Sequence, residues 1–172
     1  MKYAGIINND VVNGQDVCVS YWCQGCRFRC PGCQNPQTWD FDGGIEAKDV
    51  DIIQNVIEAI SKNGIQRNLS ILGGEPLCQE NNFFTLELIN AVKKVYPNIK
   101  IFLWTGYKWE DLIHFCPNGI LKQIDLLVDG QFDISNRDIT LPFRGSKNQR
   151  VIDVKKTLTS PDGEIILYTL EN

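Results

Sequence analysis

The chain has 172 residues, and its 17 Lys and Arg against 21 Asp and Glu give a formal net charge of −4. At roughly 150 residues per domain that length predicts a single domain, residues 1–172, and it leaves no room for a complete eight-fold barrel, which needs about 250 residues. Hydrophobic residues at 43% and charged residues at 22% exclude a disordered, collagen-like or coiled-coil chain, and the acidic balance removes any global electrostatic case for nucleic acid or an anionic membrane.

No apolar stretch approaches the ~18 residues of a membrane span. The run Ala4-Gly5-Ile6-Ile7, broken by Asn8-Asn9-Asp10, lacks the apolar centre of a secretory signal. A cytoplasmic address without a membrane or nucleic-acid partner is therefore expected. Seven cysteines, an odd number without a signal sequence, argue against a disulfide framework and for metal binding in a reducing compartment.

In chain order, residues 3–7 and 17–21 are short β-favouring runs joined through Asn13-Gly14, the residue pair a tight turn with positive φ requires, so the chain opens with a β-hairpin. Residues 23–42 hold four cysteines, two prolines and three aromatics without a period of either kind, and read as a structured loop. Val50, Ile53, Val56, Ile57 and Ile60 recur at helical spacing within residues 46–62, predicting an amphipathic helix that stops near Asn63-Gly64. Residues 69–72 predict a strand that runs into Gly73-Gly74-Glu75-Pro76. Phe84, Leu88, Ile89, Val92 and Val95 then mark a second amphipathic helix stopped by Pro97. A strand over 99–104, a short helix over 108–115 and a strand over 124–128 follow. This alternation predicts an α/β fold of parallel strands with helices outside, and places chemistry in the loops after the strands. Residues 129–149 form a long polar loop, the expected partner-binding surface, with Arg137, Arg144, Lys147 and Arg150 in or beside it. Residues 151–154 and 165–168 are late strands at an antiparallel edge.

Cys26, Cys30 and Cys33 have the spacing C-x₃-C-x₂-C. Three thiolates on one short loop can each reach a different iron of a cubane iron–sulfur cluster and leave the fourth corner open for a substrate or cofactor. Cys23 permits a rival reading as a four-cysteine zinc or closed-cluster site, although the three residues between Cys26 and Cys30 fall short of the roughly fifteen to twenty that separate zinc-ribbon knuckles. That rival predicts that Cys23 matters as much as Cys30. Cys18, Cys78 and Cys116 stand alone in or beside apolar segments and read as small buried hydrophobes.

The cysteine triplet followed by Gly73-Gly74-Glu75-Pro76 resembles the radical S-adenosylmethionine superfamily. The block from Gly25 through the triplet and Gln34-Asn35-Pro36-Gln37-Thr38-Trp39 narrows the resemblance. So do Leu103-Trp104-Thr105-Gly106-Tyr107, Val128-Asp129-Gly130-Gln131-Phe132 and Phe143-Arg144-Gly145-Ser146-Lys147-Asn148-Gln149-Arg150. In this order they are similar to the anaerobic ribonucleoside-triphosphate reductase activating proteins. The resemblance implies a reduced, open partial (β/α) barrel with an N-terminal β-hairpin, and a [4Fe-4S] cluster on Cys26, Cys30 and Cys33 whose free iron is chelated by S-adenosylmethionine. It further implies reductive cleavage to a 5′-deoxyadenosyl radical that makes a glycyl radical on the reductase large subunit. Gly73, Gly74 and Glu75 are implied to hold the methionine amino group, with Pro76 shaping the turn, and the backbone of Gly32, Cys33 and Gln34 to neighbour the cofactor. Many superfamily members place an aromatic residue where Gly32 stands, so adenine stacking stays unassigned. A flavodoxin or ferredoxin donor is implied, and a homodimer is compatible. Other glycyl-radical or small-molecule substrates remain alternatives within the superfamily.

His114, the only histidine, reads as a helix-terminal surface group. Trp39, Trp104, Trp109 and Tyr107 read as packing groups, and the Thr105-Gly106 backbone as a wall of the site.

Overall fold

In the computed structural model, which describes residues 1–117 and 119–169, β1 (Lys2–Asp10) and β2 (Cys18–Cys23) form the expected antiparallel pair. Asp10 shapes their connection, accepting from the amides of Val12 at 2.8 Å and Asn13 at 3.0 Å and from Ser20 Oγ at 2.6 Å. Gly14 then takes φ +126°, where a Cβ would run into the Phe102 ring and Cys18 Sγ. A side chain there is excluded on both conformation and space.

β3 (Ile45–Glu46) adds to β1 antiparallel, pairing Glu46 with Lys2. This strand was not foreseen, and it displaces the helix start: α1 spans Asp49–Ile60. Its buried face is Ile52, Ile53, Val56, Ala59 and Ile60, whereas Val50, expected on that face, is exposed. The helix stops where expected, because Asn63 and Gly64 take φ of 59° and 72°. β4 (Asn68–Gly73), α2 (Asn82–Val95), β5 (Ile101–Trp104), α3 (Trp109–Phe115) and β6 (Leu126–Asp129) follow the predicted alternation, with the unforeseen one-turn α4 (Ile120–Gln123) before β6. β7 (Arg150–Asp153) pairs antiparallel with β6, as the edge reading had it. It leads directly into α5 (Val154–Thr159), which the sequence reading missed and which Asp153 caps by accepting from the Lys156 amide at 3.1 Å. Residues 165–168 form no strand; only a single bridge joins Leu167 to Ile152.

Among the described residues seven strands make one mixed sheet in the order β3-β1-β2-β4-β5-β6-β7, in which β2, β4, β5 and β6 are parallel. Each parallel strand lies beside its predecessor, so successive helices fall on the same side. The main core shows this. Val19 and Tyr21 of β2, Leu69 and Ile71 of β4, Ile101 and Leu103 of β5 and Leu127 of β6 pack with apolar residues of α1, α2, α3, α4 and α5. The alternate residues face away from the helices: Cys18, Phe102 and Leu126 form a small separate cluster joined by Trp104 and Tyr168. No described helix is long and apolar enough to cross a membrane.

Candidate iron–sulfur site

The loops after β2, β4, β5 and β6 converge on one cavity of about 480 Å³ at the carboxyl ends of the parallel strands, within the ~300–1,000 Å³ range of ligand pockets. Cys26, Cys30 and Cys33 all line it, together with Gln34, Gly73, Gly74, Glu75, Thr105 and Gly106. Two residues proposed for the site do not. Gly32 has φ +72° and the space beside its Cα is taken by the Ile134 side chain, while Pro76 is buried behind the wall, its carbonyl accepting from Thr85 Oγ1 at 2.8 Å.

The cysteine loop is anchored at both ends. The Gly25 amide donates to Thr38 O at 2.8 Å and the Cys26 amide to Trp39 O at 3.0 Å, closing its base. At its tip Phe28 seats against Gly106 and meets the Tyr107 ring edge-on, centroids 4.8 Å apart. Arg29 follows in the left-handed region at φ 48°, a conformation costly for a side chain and held here by the anchored flanks.

The sulfurs sit among amide groups. Burial raises the Cys26 and Cys30 thiols, while the amides of Phe28 and Arg29 act on Cys26 and that of Phe132 on Cys30 in the opposite direction. The Asn35 amide donates to Cys33 Sγ at 3.4 Å, whereas the Cys30 thiol itself donates to Gln131 Oε1 at 4.0 Å. The backbone N–H groups of Phe28, Arg29, Asn35 and Phe132 are of the kind that thiolate ligands of a cluster accept from. Among the described residues no three Cys, His, Asp or Glu converge as a single metal ion requires; a cubane, whose corners stand apart, asks for the more open arrangement. Cys23 is separate from the triplet. It is buried on the helix side of β2 within the main core and does not line the cavity, and burial holds its thiol well above the ordinary range. Cys18 and Cys78 are also buried, and Cys116 is partly so.

The Gly73-Gly74-Glu75-Pro76 loop follows β4 and brings Gly73, Gly74 and Glu75 to the cavity. A Cβ on Gly73 would stand 2.8 Å from Cys23 O, and one on Gly74 would collide with Gly25 O, so the glycines first of all allow the loop to pass against the end of β2. The Glu75 carboxylate turns inward. It accepts from the Leu77 amide at 2.9 Å, Thr105 Oγ1 at 2.8 Å and the Gly106 amide at 2.7 Å, tying the β4 loop to the β5 loop. Burial pushes its pKa up to about 7, and these three donors oppose the rise. Asn81 completes the tie: its Nδ2 donates to Gln24 O and Glu75 O, both at 3.0 Å.

On the far wall Trp104 lines the cavity and donates from Nε1 to Phe143 O at 2.6 Å, pinning a residue that sits at φ 62°. Trp39 also lines it, whereas Trp109 is core and Tyr107 packs between Phe28 and Phe115. His114 is exposed in the last turn of α3. The basic residues of the 129–149 loop region divide. Arg150 pairs with Asp129 and Glu110, Lys147 is exposed and faces Asp138 at 3.8 Å, and Arg144 lines the cavity instead of standing free on the surface.

The sequence model of the 4Fe-4S single cluster domain family matches residues 12–152, a span that includes the whole cysteine triplet and every strand-end loop of the cavity. The anaerobic ribonucleoside-triphosphate reductase-activating protein of Haemophilus influenzae is 35% identical over 150 residues, covering 87% of this chain and 96% of that protein. Its namesake from Enterobacteria phage T4 is 34% identical over 151 residues, covering 88% and 93%. This chain belongs to the anaerobic ribonucleoside-triphosphate reductase-activating protein family. Its counterpart in Escherichia coli K12 is 32% identical, with 88% and 97% covered.

In this activating-protein chain, several residues that frame the cavity escaped the sequence reading. Asn81 and Gln24 hold its floor by long-range contacts that leave no local signal. Trp22 lines it from β2 on the face opposite Tyr21, a placement that strand alternation alone would have supplied. Three buried side-chain nitrogen or oxygen atoms lack a hydrogen-bond partner among the described residues, and two of them, Trp22 Nε1 and Arg144 Nε, belong to residues lining this cavity.

Proposed function

We propose that the protein is a radical S-adenosylmethionine activase, an oxidoreductase whose cavity holds a [4Fe-4S] cluster on Cys26, Cys30 and Cys33 with S-adenosylmethionine beside it. When bound, the pair supplies a 5′-deoxyadenosyl radical by one-electron reductive cleavage, and this radical takes hydrogen from a glycine of the anaerobic ribonucleoside-triphosphate reductase large subunit. The carrying observation is the meeting of the three cysteine sulfurs with the Gly73–Glu75 and Thr105–Gly106 loops on one cavity. Amide groups directed at the sulfurs and two buried donors without partners suit a cluster and a polar ligand.

In this reading Phe28 and the closed loop base fix the three cysteines. Gly73 and Gly74 bring the β4 loop close beside Cys26, and Glu75 acts through that loop, orienting it by its ties to Thr105 and Gly106. The backbone of Cys33 and Gln34 neighbours the cofactor, with Gly32 serving the turn. The singly wound order of β2, β4, β5 and β6, with the helices on one side, supports a reduced, open partial (β/α) barrel as one domain over residues 1–172. The open mouth admits a loop of the large subunit, with Lys147 on its docking side. The chain works in the cytoplasm with a flavodoxin or ferredoxin as electron donor, and as a homodimer or bound to the reductase.

The test is anaerobic. Reconstituted protein receives dithionite and S-adenosylmethionine, and 5′-deoxyadenosine is quantified beside a Cys30→Ala control. Product from wild type alone, and a glycyl-radical signal on adding the large subunit, are expected. A protein that binds zinc, or keeps its cluster without Cys30, overturns the reading.

A further inference from the structure

Arg144 occupies an unusual position for a cation. Among the described residues it is the only basic one lining the cavity, and the only acidic one there, Glu75, has its carboxylate engaged by Leu77, Thr105 and Gly106. No ion pair joins Arg144 to a carboxylate among the described residues. Its guanidinium is nevertheless held: Nη1 donates to Gln149 O at 2.8 Å, while Nε is buried and without partner among the described residues.

The segment that presents it is braced on both sides. Before it, Phe143 O accepts from Trp104 Nε1 at 2.6 Å. After it, Gln149 Oε1 accepts from the amides of Gly145 at 3.0 Å and Ser146 at 3.2 Å, and Gln149 Nε2 donates to Gly130 O at 3.0 Å. A buried polar group left unsatisfied costs about 1–3 kcal/mol, more when charged, and a planar guanidinium fixed in advance matches a carboxylate or a phosphate, of which S-adenosylmethionine carries only the carboxylate. The cavity therefore presents one positioned cation and no internal counter-ion for it.

We propose that Arg144 is a specificity residue of this cavity whose guanidinium receives the amino-acid carboxylate of S-adenosylmethionine. The inference rests on the cofactor assignment above. It gives the Phe143–Arg150 block a second duty: Trp104, Gln149 and Gly130 hold Arg144 in place, so the block serves ligand selection as well as any contact with a partner.

The experiment is a binding cycle on cluster-reconstituted protein under anaerobic conditions. Dissociation constants for S-adenosylmethionine and for its decarboxylated analogue are measured by equilibrium dialysis on wild type, Arg144→Met and Arg144→Lys, each checked for equal iron content. Losing a hydrogen bond to a charged partner corresponds to a weakening of about tenfold to 100-fold. Arg144→Met is expected to weaken S-adenosylmethionine by that factor and leave the decarboxylated analogue within about twofold of wild type. Arg144→Lys, which keeps the charge and loses the planar fork, is expected to fall between and guards against a folding defect in Arg144→Met. Equal weakening of both ligands, or of neither, overturns the inference. Absence of S-adenosylmethionine binding in the wild type overturns the cofactor assignment itself.

Discussion

The two faces of the parallel strands differ in how completely their neighbours fill them. Towards the helices, Val19, Tyr21, Leu69, Ile71, Ile101, Leu103 and Leu127 interlock with the apolar stripes of α1 and α2 and leave a continuous core. On the other face, Ser20 is spent on Asp10 and Ser70 on Asn13 O, Phe102 meets the Gly14 turn, and towards the carboxyl ends Trp22, Leu72 and Trp104 look into the cavity. Both faces are products of the same two-residue alternation. The helix face is closed by sequence-local amphipathic segments. Towards the carboxyl ends the cavity face is bounded by strand-end loops, so its unfilled volume persists where chemistry can use it.

The largest contrast is expected inside the cysteine set, between a residue of each face. Cys30→Ala should abolish cluster incorporation, read as iron and acid-labile sulfide per chain, whereas Cys23→Ala should retain the cluster and cost only packing stability. Equal loss in both would break the comparison, because it would put Cys23 among the ligands. On the helix face, Leu88→Ala opens a cavity against a fully buried neighbourhood and should cost about 2–5 kcal/mol in denaturant unfolding, with the cluster still incorporated.

Glu75 gives a pH signature that belongs to the cavity side. Its carboxyl titrates near 7 when folded against a reference of 4.5, so between these values the native state holds a proton that the unfolded state has released. Unfolding free energy of the cluster-free protein should therefore fall as pH rises from about 4.5 through 7, by on the order of 3 kcal/mol, and level off above. In Glu75→Gln this slope should vanish, a result read from urea midpoints across that interval.

Smaller effects sharpen the comparison at the cavity rim. Trp104→Phe keeps the ring but loses the donor to Phe143 O, and should cost about 1 kcal/mol. Faster amide exchange should appear across residues 139–145 and not in α1 or α2. Glu110 is held near pKa 2 by its hydrogen bonds with Arg150, yet it is exposed. Glu110→Gln should shift unfolding by no more than about 0.5–1 kcal/mol, because Arg150 keeps its partner in buried Asp129.

Much of this was legible from residue order alone. The helical spacing in α1 and α2, the strand runs of β4, β5 and β6 and the Asn63-Gly64 stop needed no partner to be recognised, because each carries its period or its turn chemistry locally. The misses share a cause. β3 exists because Glu46 pairs with Lys2 across 44 positions of chain, α5 follows β7 too closely for a separate signal, and residues 165–168 have strand composition but meet β7 at one bridge only. Arg144 looked like a surface charge among Arg137 and Lys147, and only the brace from Trp104 and Gln149 turns it to the cavity.

By itself, the sequence determined the alternating α/β order, the cysteine triplet with its spacing, and the strand-end position of the loops that carry chemistry. These are local properties of periodicity, turn residues and ligand type. Only the tertiary structure decided that Cys23 lies on the opposite face from the triplet, that the Glu75 carboxylate ties two loops together, and that Arg144 lines the cavity. Each of these depends on which distant backbone atoms come within about 3 Å of a side chain, and that is fixed by the packing of strands and loops remote in sequence.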